Sequence, residues 1–220
     1  MAHGESTSIG RLVLIPAVIT LGVTVLRLLG ELQGWSKLLF NTQPGGGGGL
    51  VGIVWLVPVF GVYFALKLAN SGERPPSMAK AAGFAFLGLL VVAGSVALFH
   101  GSKFTNFAMI AAGGALMVVA MLIPLGGWRE LTKTLLAYAF LARIPVATVN
   151  FLSLRGSWGT HYEGAPPGFP ADTPFWTKYL LIGLAPQVTA WIAFTVIVGS
   201  LFGIAAVAIL RRKQSAAATT

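Results

Sequence analysis

An arginine inside an apolar segment is the residue of this sequence with the clearest chemical consequence. Arg143 stands about halfway along that segment, within Phe140-Leu-Ala-Arg-Ile-Pro-Val146, and a guanidinium at the centre of a bilayer costs about 2.5–3.5 kcal/mol on insertion scales. Pro145 lacks an N–H, which leaves the carbonyl of Leu141 without its usual helical donor. Asn150 follows seven residues after Arg143 and falls on the same helix face. The pattern predicts a polar stripe in an otherwise apolar helix.

Several roles remain open for Arg143, because no other apolar segment carries an acidic residue at mid-depth. The side chain could bind carbonyls that the prolines of these segments release, together with the Gln187 amide, or it could extend towards an interface. It could also present a positive site to an anionic substrate, a lipid headgroup or a cofactor carboxylate, or meet a counter-charge from a partner subunit. We take Arg143, Asn150 and Gln187 as a hypothetical ligand-binding group.

A second group of chemically active side chains lies in a long loop, within Arg155-Gly-Ser-Trp-Gly-Thr-His-Tyr-Glu163. His161 and Glu163 could ligate a metal with Asp172 as a third donor, although this set lacks the helical spacing of a typical metal site. The same side chains, with Tyr162 beside them, could do acid–base chemistry, but no nucleophile is fixed nearby. A loop that caps the helices, or one that contacts another protein, is the structural alternative.

The sequence predicts neither a cofactor nor a metal. It contains no cysteine, which excludes disulfides, thiolate metal sites and cysteine nucleophiles. His100 and His161 could reach the same side of a membrane as axial haem ligands, but we disfavour this arrangement. The glycine run Gly45–Gly49 lacks the Lys-Ser/Thr of a phosphate-binding loop, and we interpret it as a hinge.

Two further spacings concern the contacts of helices. Arg27 and Glu31 stand four residues apart and predict a local ion pair that eases insertion of the first helix, with a substrate gate as the alternative. Gly199-Ser-Leu-Phe-Gly203 is a GxxxG pattern, which lets two helices approach closely. Packing of Gly199 and Gly203 within the chain is the default interpretation, and pairing of two chains is the alternative.

These residues are positioned by a predicted transmembrane helical bundle. The chain has 220 residues, of which 55% are hydrophobic and 10% charged, and its mean hydropathy is +0.80, whereas soluble domains carry about 25% charged residues. Since a span needs about 20 apolar residues, we predict one all-α integral membrane domain with about six spans. The spans cover residues 12–32, 50–69, 80–100, 105–127, 131–154 and 186–210. The outer loops, 33–49 and 155–173, are long enough to be functional.

The last apolar stretch, residues 174–210, is too long for one span, because about 37 helical residues measure roughly 55 Å. Pro186 predicts a division, since proline removes a helical hydrogen bond and disfavours helical geometry in the residue before it. We therefore expect a short interfacial helix over 174–184 and the last span after it. A single kinked helix is the alternative.

The basic residues predict the orientation of the chain. Nine of the fifteen Lys and Arg residues fall on the side of the two termini and five on the opposite side, with Arg143 between them. Positive charge marks the cytoplasmic side, so both termini are expected in the cytoplasm of a plasma (inner) membrane. The net charge of +9 then reflects topology and attraction to anionic lipid headgroups. It does not form the separate basic domain of a nucleic-acid-binding protein.

Together the patterns predict a multi-pass membrane protein that binds or transports a small anionic or amphiphilic ligand through a cavity containing Arg143. One alternative is a non-catalytic accessory or assembly subunit of a membrane complex. The other alternative is a membrane enzyme that uses the His161/Glu163 loop. A protein without enzymatic activity is favoured over an enzyme. The lipid bilayer is the expected partner, with other copies of the chain or complex subunits as further candidates.

Overall fold

The computed structural model describes residues 8–44 and 49–217, and all regular structure in those ranges is helical. Residues 45–48 of the glycine run lie outside the described residues. Five helices are long and apolar enough to cross a membrane: Ile9–Leu32 (α1), Met78–Ser102 (α3), Phe107–Gly126 (α4 and a 3₁₀ turn), Arg129–Gly156 (α5) and Phe175–Leu210. The prediction of an all-α chain with several such helices is confirmed, whereas the count of six is not.

The second predicted span, residues 50–69, forms only a shorter apolar helix, α2, which covers Leu56–Asn70. Its 15 residues measure about 22 Å, less than the roughly 30 Å of a hydrocarbon core. The residues before it are held in turns, because the amide of Val51 bonds the carbonyl of Leu39. The loop therefore takes up residues that the hydropathy pattern assigns to the span.

The last apolar stretch is one kinked run of helix, and its break is not at Pro186 as predicted. It consists of α6 (Phe175–Lys178), a π-helical turn (Tyr179–Leu184), α7 (Ala185–Val188) and α8 (Ala190–Ala217). The break falls at Thr189, whose φ of −118° and ψ of −79° depart from helical values. A π-helical turn is wider than an α-helical one, which gives the Pro186 ring room against the preceding turn. Residues 174–184 are thus the start of the same helical run and not a separate interfacial helix.

Helix α8 is central to the bundle and packs against α2, α3, α4 and α5. It approaches α2 closely, since a Cβ added to Gly203 would lie 2.7 Å from both the Ala65 Cβ and the Gly61 carbonyl oxygen. A Cβ on Gly61 would likewise collide with the backbone of Gly199. The GxxxG pattern therefore packs two helices of the same chain.

The outward faces of the long helices are apolar. Within the most hydrophobic 18-residue window of α3 only 17% of the residues are buried, and Leu90 on this helix is 69% exposed. Soluble monomers rarely expose contiguous apolar surface of this kind. The surface is compatible with a membrane protein.

The chain connects its helices at two ends of the bundle. The described connections 33–44 and 49–55, 103–106 and 157–174 follow α1, α3 and α5 and lie at one end, which we name the loop end. The connections 71–77 and 127–128 lie at the opposite end with residues 9 and 217, and we name it the termini end.

Candidate functional site

A cavity of about 340 Å³ lies at the loop end, between α1, α5, the π-helical segment and the two long loops. Apolar residues such as Val146 and Ile182 form part of its wall. The side chains with polar or aromatic chemistry in this wall include Arg143, Asn150, His161, Tyr162, Gln187 and Trp191. The structure thus brings together the predicted ligand-binding group and two members of the predicted loop group.

Two arginines, Arg27 and Arg143, line this cavity, and Arg143 is the more buried of them. It is 4% exposed, and its buried Nε donor has no hydrogen-bond partner. Among the described residues no carboxylate forms an ion pair with it. Its guanidinium carbon lies 4.7 Å from the centre of the Trp191 ring, a cation–π contact that stabilises the charge but gives the N–H groups no acceptor oxygen. The guanidinium therefore retains unused donor capacity.

Gln187 and Asn150 are the polar amides of the same wall. The Gln187 Oε1 atom is buried and has no hydrogen-bond partner, whereas the Asn150 Nδ2 atom donates to the Gly183 carbonyl at 3.4 Å. The Asn150 bond ties α5 to the π-helical turn. Gln187 is left as a second buried polar group with unused capacity.

On the termini-end side of Arg143, α5 is packed against aromatic side chains of α2. Tyr138 lies five residues before Arg143 on α5, about 7.5 Å along the helix, and is 1% exposed. Its hydroxyl is hydrogen-bonded to the Thr20 hydroxyl at 2.8 Å, and its ring packs edge-on against Phe60 and Phe64. Aromatic packing thus separates Arg143 from that end.

A charged cluster joins α1 to both long loops. The Arg27 Nε atom donates to the Glu31 Oε1 atom at 2.8 Å, and the Arg27 terminal nitrogens donate to the carbonyls of Val51 and Asn41 in the first long loop. The amide of His161, in the second long loop, donates to the Glu31 Oε2 atom at 2.9 Å, and its ring Nδ1 lies 2.6 Å from Oε1. The predicted Arg27–Glu31 pair is therefore the centre of a larger hydrogen-bonded cluster that includes both long loops.

His161 and Tyr162 are the titratable loop residues that line the cavity, and both are neutral at pH 7. Burial lowers the pKa of His161, with the Glu31 hydrogen bond opposing this effect and the Arg27 charge adding to it. The neutral ring donates from Nδ1 to the Glu31 carboxylate, which leaves Nε2 as an acceptor. Burial also raises the pKa of Tyr162, with the nearby Glu31 charge acting in the same direction.

The other two members of the predicted loop group do not join this site. Both Glu163 carboxylate oxygens accept hydrogen bonds, from the loop amides of Trp158 and Gly159 and from the hydroxyl of Ser153 on α5. Asp172 is exposed, and neither residue lines the cavity. Glu163 therefore holds the shape of the loop, and the predicted set His161, Glu163 and Asp172 does not converge on one point.

The residues proposed for metal or haem binding are not brought together. Within residues 8–44 and 49–217 no group of three or more His, Asp or Glu side chains is placed to hold a metal ion. The His100 ring is exposed and its Nδ1 atom lies 2.9 Å from the Val96 carbonyl oxygen of its own helix. The His161 Nδ1 atom is engaged by Glu31.

Two site residues were missed from the sequence. The sequence predicts only a local pair for Glu31. Its contact with His161 spans 130 positions, and a contact between residues so far apart produces no local sequence pattern. Trp191 could have been found, because it follows Gln187 by four residues, a spacing that places both side chains on one face of the uninterrupted helix predicted over 186–210.

Comparison of this chain with protein-family models, with curated proteins and with solved structures finds no match.

Proposed function

We propose that this chain is a multi-pass protein of the plasma (inner) membrane that binds a small anionic or amphiphilic ligand in the loop-end cavity. The observation that carries the proposal is Arg143, a buried guanidinium that lines the cavity and has an unpartnered Nε donor. A buried charge is normally paired or bound to oxygen. An anionic group in the cavity would supply the missing acceptor.

The character of the wall supports an amphiphilic ligand. Apolar residues such as Val146, Ile182 and Val54 line the cavity alongside the polar groups, so an apolar tail would be accommodated beside an anionic headgroup. The volume of about 340 Å³ falls at the lower end of the roughly 300–1,000 Å³ of small-molecule pockets. A molecule with one short tail suits it better than a two-chain lipid.

Transport would require more than binding. The contact of Tyr138 with Thr20 and the aromatic packing around it close the route from Arg143 to the termini end. Release on that side would need this contact to open. We therefore propose ligand binding as the basic activity. Transport would follow only if the Tyr138–Thr20 contact and the aromatic packing around it rearrange.

The accessory-subunit and enzyme hypotheses have less support. The GxxxG residues, for which pairing of two chains was the alternative to packing within one chain, are covered by α2 of the same chain. The Glu163 carboxylate of the proposed enzyme group is occupied by amides of its own loop.

The proposal is tested with the protein in lipid nanodiscs and octyl sulfate as an anionic probe, by isothermal titration calorimetry. We expect wild type to bind octyl sulfate and Arg143→Gln to bind at least about tenfold more weakly, because a hydrogen bond to a charged group contributes about 1.5–3 kcal/mol. Arg155→Gln is the matched control, since Arg155 is an exposed arginine of the same helix. Equal affinities of wild type and Arg143→Gln, or no binding to wild type, would contradict the proposal.

A further inference from the structure

Two buried polar atoms of the cavity wall lack partners, and they have opposite hydrogen-bonding character. The Arg143 Nε atom is a donor and the Gln187 Oε1 atom an acceptor, and neither is hydrogen-bonded to the other. Both residues line the same cavity. They are also linked through Trp191, whose ring contacts the Arg143 guanidinium and which follows Gln187 by four residues.

A simple anion would satisfy one of these atoms only. An ionised oxygen accepts from Arg143, but it has no hydrogen to donate to the Gln187 oxygen and repels its lone pairs. Leaving a buried acceptor unpaired is costly, and for this reason sites built around a hydroxyl discriminate strongly against analogues that lack it. The two atoms together are complemented by a headgroup with an ionised oxygen and an O–H donor.

We propose that the headgroup of the ligand is an acid that retains a hydroxyl beside its ionised oxygen, and that Gln187 is the residue that selects this hydroxyl. The inference rests on the proposed function, since it identifies the class of ligand for the same cavity. Two chemical sources share this headgroup: a 2-hydroxy carboxylate, and a phosphate monoester that keeps one P–OH.

The neighbouring groups support this assignment. The Asn150 amide already donates to the Gly183 carbonyl, so it is engaged by the protein. The His161 Nε2 atom, an acceptor in the neutral ring, has no hydrogen-bond partner among the described residues. His161, which lines the cavity, thus offers a second acceptor. No carboxylate from the described part of the chain lines the wall of the cavity, so no negative side chain of the wall would repel an anionic headgroup.

The test uses two pairs of probes that differ in the hydroxyl, titrated by calorimetry into the full chain in nanodiscs. The first pair is 2-hydroxyoctanoate and octanoate at about pH 7, where both carboxyls are ionised. The second is octyl phosphate and octyl sulfate at about pH 5.5, where most of the phosphate monoester keeps one P–OH because its second pKa is about 6. We expect wild type to prefer the hydroxyl-bearing member of at least one pair by about tenfold, and the preferred pair distinguishes the two sources.

Gln187→Met keeps the length of the side chain and removes its oxygen, so we expect it to lose the preference while still binding octyl sulfate. Gln33→Leu is the control, because Gln33 is an exposed glutamine at the end of α1. If Gln187→Met does not fold, Gln187→Glu provides the second variant, and its carboxylate beside Arg143 should weaken binding of all four probes.

Each alternative outcome contradicts the inference in a distinguishable way. Wild type that binds the members of both pairs equally would overturn the selection of a hydroxyl and leave the anion site intact. A preference that persists in Gln187→Met, or unchanged binding in Gln187→Glu, would overturn the role of Gln187. Failure of wild type to bind any probe would overturn the proposed function as well.

Discussion

At the scale of single residues, Glu31 holds more of the loop end together than any other side chain described above. Its side chain is fully buried, and its two oxygens accept from Arg27 and from both the amide and the ring of His161. Glu130, by contrast, pairs with Lys133 while both side chains remain more than one-third exposed. Buried and exposed ion pairs differ in the cost of removing one partner.

Glu31→Gln should therefore destabilise the protein strongly. The substitution keeps the shape of the side chain but removes the negative charge that faces Arg27, and breaking a buried pair costs about 3–5 kcal/mol. We expect a clear fall in the melting temperature in detergent. Glu130→Gln is the matched control and should cost no more than about 1 kcal/mol. Equal melting temperatures of the two variants would contradict the central role of Glu31.

Residue chemistry was only partly predictable from the sequence. Arg143 could be identified because a charge in an apolar helix is visible without any knowledge of the fold. The partner of His161 could not, because Glu163 is close in sequence and Glu31 is 130 residues away. Proximity in the chain suggests Glu163 as the partner of His161, whereas the folded protein pairs His161 with Glu31. The loop amides that occupy the Glu163 carboxylate become apparent only once the loop is folded.

At the scale of helices, the glycines at the crossing of α2 and α8 determine how closely the two helices pack. Gly203 and Gly61 leave no room for a Cβ, whereas a Cβ on Gly94 of α3 would meet no atom within 4 Å. The two helices approach closely because both lack side chains at the crossing. Their packing supports the central position of α8, and with it the position of Trp191 beneath Arg143.

Gly203→Val should consequently destabilise the bundle by about 1–3 kcal/mol, the usual cost of overpacking a tight contact. Gly94→Val should be close to neutral, because its side chain would enter open space. Thermal unfolding followed by circular dichroism gives the measurement. If Gly94→Val melts as early as Gly203→Val, crowding at the crossing does not determine the effect.

The helices were mostly predictable, and the exceptions have physical causes. Hydropathy located α1, α3, α4 and α5 to within a few residues because each is a continuous apolar run. It extended the second span too far, because the segment before Leu56 is apolar and yet belongs to the first long loop, where the amide of Val51 bonds the carbonyl of Leu39. It placed the break at Pro186 because single-residue rules do not anticipate a π-helical turn that accommodates the ring.

At the scale of the whole molecule, the exposed surface is compatible with a membrane protein, and the distribution of charge bears on its orientation there. The long helices expose apolar side chains along much of their length, and more basic residues lie near the termini end than near the loop end. Under the positive-inside rule the loop-end cavity would face away from the cytoplasm. Its ligand would then arrive from outside the cell or from the outer leaflet.

The orientation can be measured directly, because the chain contains no cysteine and single cysteines are therefore unambiguous labels. We expect Ala171→Cys, at the loop end, to react with a membrane-impermeant maleimide in intact cells. Glu73→Cys, at the termini end, should react only after the membrane is permeabilised. Both positions are exposed in the structure. The reverse pattern would place the cavity on the cytoplasmic side.

The contact of Glu31 with His161 also sets an order of events during synthesis. The two residues are separated by 130 positions, so at about 5–20 residues per second the ribosome adds His161 roughly 6–26 seconds after Glu31. Arg27, only four positions away, can neutralise the carboxylate as soon as the first helix forms. Arg27 is thus available to the Glu31 carboxylate from the formation of the first helix, and His161 joins the pair only later.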